Sequence, residues 1–328
     1  MKVLFTNQLT DIWLSKIEEL KREFPKVEFI IFKEAKHPRQ LLRDADAVVG
    51  GHFSEEEIEN SRNLKIIFVP WTGVNMLPWK IVRKKNIVVT NTHTNSRTVA
   101  ERAVALSLAL TGRIVEYHND LSQGIWHGFP VGLPDSDFWT SLYGKTCTIA
   151  GFGNIGRNVA KMMKAFDCHI VAFKKHRTDE IPLFVDELIF DLETAVSKGD
   201  VIFVTLPFTP ETKGIFDESI LSKMKGKFLV NVSRGEIIEE RALYFALKNG
   251  ILAGAAIDTW YQYPAGSNSA VLPSKFPIHT FKNVVLSPHV AGVTKTSMNN
   301  MAQDTINTIK AYLKNGEILN RVDPNLMY

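Results

Sequence analysis

Two cysteines, Cys147 and Cys168, are all that the 328 residues carry. Both sit in apolar, strand-like surroundings, so buried thiols in a reducing compartment are expected rather than a disulfide scaffold. Charge of one sign is scarce too: 39 basic residues against 35 acidic ones leave a formal net charge of +4. The compact basic runs, Arg83-Lys84-Lys85 and Lys174-Lys175-His176-Arg177, are too small to form a footprint for nucleic acid or an anionic membrane. No apolar run is long enough to cross a bilayer; Ala103 to Thr111, the most apolar helical stretch, stops far short and follows Glu101 and Arg102. The start, Met1-Lys2-Val3-Leu4-Phe5, enters strand-like sequence without a leader-like apolar segment, which points to the cytoplasm. The histidines, among them His93, His118, His127, His169 and His176, lack ligand spacing, so no metal is expected. Internal repeats and low-complexity tracts are missing as well.

What is present is a globular composition, 45% apolar and 23% charged, in a chain long enough for two cores. Short apolar runs at Val3–Phe5, Val27–Phe32, Ala47–Val49, Ile66–Val69 and Ile87–Val89 alternate with helix-patterned stretches at Ile12–Phe24, Glu55–Asn60 and Pro78–Lys84. Such alternation predicts an α/β fold with a parallel sheet covered on both faces. The longest helical pattern, Thr98 to about Tyr117, reads as one spine helix between two domains. Gln123–Ser141 then crowds Gly, Pro, Trp and Phe together, as in Gly124-Ile125-Trp126-His127-Gly128-Phe129-Pro130 and again near Pro134 and Trp139. It reads either as a surface that packs on a neighbouring subunit or as an ordinary loop. A second series follows: strand Thr146–Ala150, helix Asn154–Phe166, strands Ile170–Phe173 and Val201–Thr205, helix Glu218–Met224, strand Phe228–Val232, helix Glu240–Asn249 and strand Ala253–Ile257. This is a dinucleotide-fold order. Strand Val284–Leu286 and a final helix over about Thr296–Lys314 complete it.

Between the first strand and helix of that series lies Gly151-Phe152-Gly153-Asn154-Ile155-Gly156. A bare GxGxxG is weak, but a buried strand before it and a helix after it supply the context a dinucleotide turn needs. Gly151 permits the tight turn, Gly153 lets the backbone approach a pyrophosphate, and Gly156 lets helix and strand pack closely. The N–H groups and dipole at the helix start then favour negative charge. At the end of the next strand a carboxylate would grip the ribose 2′-OH of NAD, whereas cations suit the 2′-phosphate of NADP. Lys174, Lys175 and Arg177 stand there without a carboxylate, so NADP is favoured and a solvated turn that accepts NAD is the alternative.

Three further segments belong where strand ends open onto a cofactor: Leu206-Pro207, Asn231-Val232-Ser233-Arg234-Gly235 and Ser287-Pro288-His289. With Thr72-Gly73-Val74, Val99-Ala100-Glu101, Glu211-Thr212, Ala256-Ile257-Asp258 and His289-Val290-Ala291-Gly292, they make the chain resemble the D-isomer-specific 2-hydroxyacid dehydrogenases. Relatives of that family include glyoxylate reductase, phosphoglycerate dehydrogenase, formate dehydrogenase and the CtBP corepressors. The resemblance implies two doubly wound parallel-sheet domains with the active site in the cleft between them. Residues 1–95 and 290–328 would bind substrate, and residues 96–289 the dinucleotide. It implies hydride transfer between NADP(H) or NAD(H) and a small 2-hydroxyacid or 2-oxoacid of glyoxylate or hydroxypyruvate type, by a homodimer.

Carried over by position, Arg234 holds the substrate carboxylate and polarises the carbonyl, a task for a planar, permanently charged head. His289 is the general acid and base, because imidazole titrates near operating pH. Gly73 and Val74, through backbone N–H groups, and Asn95 bind substrate. Leu206, Pro207, Thr212, Val232, Ser233, Asp258 and Gly292 join the glycine turn in cofactor binding, with Asp258 facing the nicotinamide carboxamide. One position departs. The family glutamate five residues after the aspartate is Tyr263 here, in Asp258-Thr259-Trp260-Tyr261-Gln262-Tyr263. A carboxylate beside the histidine would raise its pKa by about one to two units; a phenol orients the ring by a hydrogen bond but adds no charge. Formate dehydrogenases also lack that glutamate and share a pattern like Asn95-Ser96-Arg97-Thr98-Val99-Ala100-Glu101, so formate oxidation is kept as an alternative, as is a dinucleotide-sensing interaction protein of the CtBP kind.

Overall fold

A computed structural model describes residues 1–6, 9–31, 38–128, 132, 137–178, 180–265 and 269–328, with the backbone alone at 38–40. The chain divides into two units, Met1–Asn95 joined by Val293–Tyr328, and Ser96–Gly292. In the first, β1 (Lys2–Phe5), α1 (Asp11–Glu23), β2 (Glu28–Ile31), α2 (Pro38–Asp44), β3 (Ala47–Val49), α3 (Glu55–Asn60), β4 (Ile66–Phe68), α4 (Trp79–Lys84) and β5 (Val88–Thr90) alternate. The strands run parallel in the order β2-β1-β3-β4-β5, a flavodoxin-like arrangement whose order reverses at β1. Successive strand residues point to opposite faces. Val3 and Phe5 therefore pack with Ile17 and Leu20 on one side, and Leu4 with Val48, Ile67 and Val82 on the other. The final helix, Lys295–Asn315, returns to this unit and covers the first face through Ala302, Ile306 and Ile309.

The second unit contains α5 (Ser96–Thr111), α6 (Ile114–Leu121), β6 (Thr146–Ala150), α7 (Asn154–Met163), β7 (His169–Phe173), β8 (Glu187–Ile189), α8 (Leu192–Lys198), β9 (Val201–Val204), α9 (Glu218–Ser222), β10 (Lys227–Asn231), α10 (Glu240–Lys248), β11 (Leu252–Ile257) and β12 (Val284–Leu286). Its seven parallel strands follow the order β12-β11-β10-β9-β6-β7-β8. That is the dinucleotide-binding order with a strand added at one edge, and it reverses beside β6. Ile149, Phe203 and Val230 pack under α5 and α7, while Ile202, Val204 and Leu229 pack under α8, α9 and α10. Both sheets are thus covered on two faces, as the alternation of runs predicts.

Three expectations change. The single spine helix over Thr98 to Tyr117 is two helices, because Gly112 ends α5 and Arg113 takes a left-handed φ of 50° before α6. Gly just past a helix is a common stop. The stretch between β7 and β9 holds an unforeseen strand and helix, β8 and α8. Each residue of β8 is half-buried, so no alternation marks it; α8 does carry a signal, Asp191 accepting from Thr194 N at 2.8 Å. Helix α2 is likewise not anticipated by the pattern of apolar runs. Phe32 of the first series, and Phe129, Pro130 and Pro134 of the Gln123–Ser141 stretch, lie outside the described residues. Among the described residues no helix is long and apolar enough to cross a membrane.

Candidate active site

The glycine turn follows β6, where the strand order reverses. Gly151 has φ 100°, and a Cβ there would meet Leu206 N at 2.7 Å. A Cβ on Gly156 would meet the Gly151 carbonyl at 2.4 Å and Ile149 at 3.0 Å. Those two glycines are required by the protein's own packing. Gly153 is not: its φ is −88°, and a Cβ would meet nothing within 4 Å. It is also the N-cap of α7, which no side chain caps. The α7 N–H groups of Asn154, Ile155 and Gly156 are therefore left for an external acceptor.

The basic turn lies after β7, where Gly151 N donates to Phe173 O at 3.2 Å and Lys174 N to Ile189 O at 3.1 Å. Its three cations are not equivalent. Lys175 pairs with Glu211, and the Arg177 guanidinium lies 5.6 Å from the Phe190 ring centroid. After β9, Leu206 is buried and its carbonyl accepts from the Ser233 hydroxyl. Thr212 Oγ1 donates to Pro207 O at 2.7 Å and accepts from Thr209 N at 2.8 Å, so its hydroxyl shapes the 207–212 turn.

Three loops at the carboxyl ends of β10, β11 and β12 carry the proposed chemistry. Buried Asn231 builds the first by accepting from Ser233 N at 3.0 Å and donating to Arg234 O at 2.9 Å. Val232 and Ser233 are buried beside it. Arg234 is extended, with Nη1 donating to Ser233 O at 2.7 Å. Gly235 must be glycine, since a Cβ would meet Trp260 O at 2.4 Å. That close approach locks the first loop to the second.

Asp258, expected to face a nicotinamide carboxamide, is fully buried and turned onto the third loop. Its carboxylate accepts from Ser287 Oγ, from Val290 N at 3.0 Å and from Ala291 N at 3.0 Å. These bonds straddle His289, whose φ of 57° is uncommon for a residue with a Cβ. Ser287 also accepts from Arg102 Nη2 at 3.0 Å, and its carbonyl accepts from Trp260 Nε1 at 2.8 Å. Asp258 thus helps hold the histidine's strained backbone. Gly292 ends this loop and the unit.

Tyr263 meets His289 through its ring, with centroids 5.5 Å apart and planes at 52°. Its hydroxyl accepts from Trp260 N at 2.9 Å, so the expected orienting hydrogen bond to the imidazole gives way to a ring contact. Partial burial pushes the His289 pKa below its ordinary value of 6.5; Arg234 lowers it further, against opposing pulls from Asp258 and Glu236. Burial likewise raises the Tyr263 phenol and lowers Arg234, whose guanidinium remains charged.

In the other unit, the loop after β4 carries Gly73 and buried Val74. Thr72 Oγ1 bonds Thr92 O at 2.9 Å and Asn95 Oδ1 at 2.7 Å, and Asn91 Nδ2 donates to Thr72 O at 2.7 Å. Trp79 Nε1 donates to Val74 O at 3.0 Å. Among the described residues the N–H groups of Gly73 and Val74 have no hydrogen-bond acceptor. A loop pinned on both sides with two unused donors is suited to an anion.

Residues 104–291 match the family model described as D-isomer specific 2-hydroxyacid dehydrogenase, NAD binding domain. The chain belongs to the D-isomer-specific 2-hydroxyacid dehydrogenase family. As a member it is an oxidoreductase that works with a nicotinamide dinucleotide on CH–OH groups. It is 32% identical to a glyoxylate reductase of Thermococcus litoralis over 99% of this chain and 96% of that one. The fold is shared with an NADPH-dependent glyoxylate/hydroxypyruvate reductase of Sinorhizobium meliloti solved with NADP and malonate, at TM-score 0.81 and 24% identity over 98% and 97% of the two chains. A Staphylococcus aureus NAD-dependent formate dehydrogenase solved with NAD is as similar, at TM-score 0.79 and 25% identity over 98% of each chain. Neighbours holding different dinucleotides leave the choice between NADP and NAD to local residues.

The dehydrogenase's own geometry fits a dinucleotide: α7 is uncapped, and the one glycine of the turn that packing does not require is the one a pyrophosphate would approach. Sequence reasoning missed Ser287 and Arg102 as supports of the histidine loop. Both flank recognised motifs, but the hydrogen bond joining them spans 185 residues, and no local pattern encodes it.

Proposed function

We propose that this family member reduces a small 2-oxoacid of glyoxylate or hydroxypyruvate type, with NADP as the preferred dinucleotide. The observation that carries the reading is the convergence of Arg234, Tyr263 and His289 on three mutually locked loops of the dinucleotide-fold unit. When bound, the dinucleotide supplies a hydride to the carbonyl carbon. Arg234 would hold the substrate carboxylate and polarise the carbonyl, and His289 would deliver the proton to the oxygen as the C–H bond forms. The N–H groups of Gly73 and Val74, with Asn95, take further substrate contacts. Gly151, Gly153, Asn154, Ile155 and Gly156 would hold the pyrophosphate, while Lys174, Lys175 and Arg177 stand for the 2′-phosphate. Leu206, Pro207, Thr212, Val232, Ser233, Asp258 and Gly292 would line or support the dinucleotide site.

A homodimer in the cytoplasm completes the reading. Exposed Leu121, Ile125, Trp126, Phe138 and Trp139 gather at the end of α6 and after it, around a cavity of about 400 Å³. A cluster of exposed apolar side chains of this kind supports a subunit contact there. The functional test follows absorbance of NADPH and NADH against a panel of 2-oxoacids, with formate oxidation in parallel. Glyoxylate- or hydroxypyruvate-dependent loss of NADPH is expected. Formate-dependent gain of NADH, or no turnover at all, would replace the proposal with the formate-oxidising or the dinucleotide-sensing reading.

A further inference from the structure

The basic run that opens the turn after β7, Lys174-Lys175-His176-Arg177, contains no carboxylate, yet the fold delivers one to it. Glu211, 36 residues beyond Lys175 and in the loop after β9, reaches back to pair with the Lys175 ammonium. Their side chains are 69% and 55% exposed, so an incoming anion can reach the pair and compete for it. Lys175 holds the Glu211 carboxyl below the usual range, and the charge of His176 acts in the same direction. Lys174 has its N–H fixed to Ile189 O at 3.1 Å, and Arg177 lies over Phe190. Of the three cations assigned to a 2′-phosphate, one already has a competing anion.

We propose that Glu211 is a specificity-determining residue that sets how strongly the site prefers NADP over NAD, by competing with the 2′-phosphate for Lys175. A 2′-phosphate arriving at Lys175 must displace Glu211 and then lie near its charge, so a dianion is penalised twice. A ribose 2′-OH carries no charge and meets neither cost. The pair therefore acts as a brake on NADP affinity and leaves NAD usable. This inference rests on the dinucleotide site proposed above.

The test is calorimetric titration of the substrate-free protein with NADP+, NAD+ and adenosine 2′,5′-bisphosphate, for the wild type, Glu211→Gln and Lys175→Gln. Releasing Lys175 and removing a nearby like charge should tighten NADP+ and the bisphosphate roughly fivefold to tenfold in Glu211→Gln, while NAD+ changes by less than about twofold. Lys175→Gln should weaken NADP+ and the bisphosphate, and adding Glu211→Gln to it should recover less than the single substitution gains. Raising the salt concentration should shrink all of these differences. Equal changes for NADP+ and NAD+, or no change for either, would overturn the role of Glu211. The wild-type ratio is a separate result. If the wild type prefers NAD+ but Glu211→Gln still shifts selectively towards NADP+, the NADP preference fails and the role of Glu211 stands.

Discussion

Substituting Tyr263 by glutamate should move the pH at which the enzyme loses reductive activity upwards by about one unit. In the wild type, burial and then Arg234 depress the His289 pKa below 6.5. The neutral phenol 5.5 Å away, ring to ring, offers no opposing charge. Two unit charges at that separation attract by roughly 1.5–3 kcal/mol at an effective dielectric of about 20–40, which corresponds to about one to two pK units. Arg234 also feels charge at position 263 and will take part of the new carboxylate's field, which favours the lower figure. It should also raise KM, because Arg234 then has a rival for the substrate carboxylate. Tyr263 is 44% exposed, so little packing is lost. Loss of the Trp260 N–H bond should cost about 1 kcal/mol of stability, and Tyr263→Phe controls for it. The assay is kcat/KM for NADPH-dependent glyoxylate reduction against pH. His289 must be protonated to act as an acid, so activity falls as pH rises through its pKa. A descending limb that stays in place in Tyr263→Glu, while His289→Gln removes it, would refute the electrostatic reasoning.

Gly153→Ala should fold at least as stably as the wild type, since its Cβ enters open space at φ −88°, yet lose roughly tenfold or more in dinucleotide affinity by calorimetry. Gly156→Ala should lose about 1–3 kcal/mol of stability in denaturant titration, because its Cβ falls 2.4 Å from a carbonyl oxygen. The reverse pattern would remove the argument for a pyrophosphate at Gly153. His127 bridges Asp137 at 2.6 Å and Asp120 at 3.0 Å, and these bonds, Asp137 first, raise its pKa above 6.5. Its stabilising contribution is full below the unfolded pKa of about 6.5 and is lost as pH rises through the folded value. Hydrogen exchange in residues 120–128 should therefore accelerate beyond the intrinsic rate as pH rises above about 6.5, and His127→Gln should lose that extra increment.

Local patterns carried most of the architecture. The run Cys147-Thr148-Ile149-Ala150 before the glycine turn marked a buried strand, and the spacing of Gly151, Gly153 and Gly156 marked the helix behind it. Helices and strands with weak patterns went unread. Residues Glu187 to Ile189 are half-buried throughout, so neither alternation nor a continuous apolar run betrays β8. The break between α5 and α6 depends on one left-handed residue after Gly112. At the site, Arg234 and His289 were legible because they sit inside dense motifs at strand ends. What Asp258 and Tyr263 do with their polar atoms was not. Asp258 turns onto Val290 and Ala291, more than thirty positions away, and Tyr263 turns its hydroxyl back to Trp260. In the sequence Glu211 belongs to the Glu211-Thr212 motif, and its partnership with Lys175 exists only once the sheet brings β7 and β9 to either side of β6.

In the proposed reaction His289 delivers a proton while NADPH delivers a hydride to a 2-oxoacid. It is tested most directly by reducing hydroxypyruvate with the purified protein and measuring three quantities together: NADPH consumed, glycerate formed with its configuration, and both again in His289→Phe. One NADPH per glycerate, the D-isomer, and a loss of at least about a hundredfold in kcat/KM in the variant are expected. L-glycerate, or turnover indifferent to His289→Phe, would contradict it.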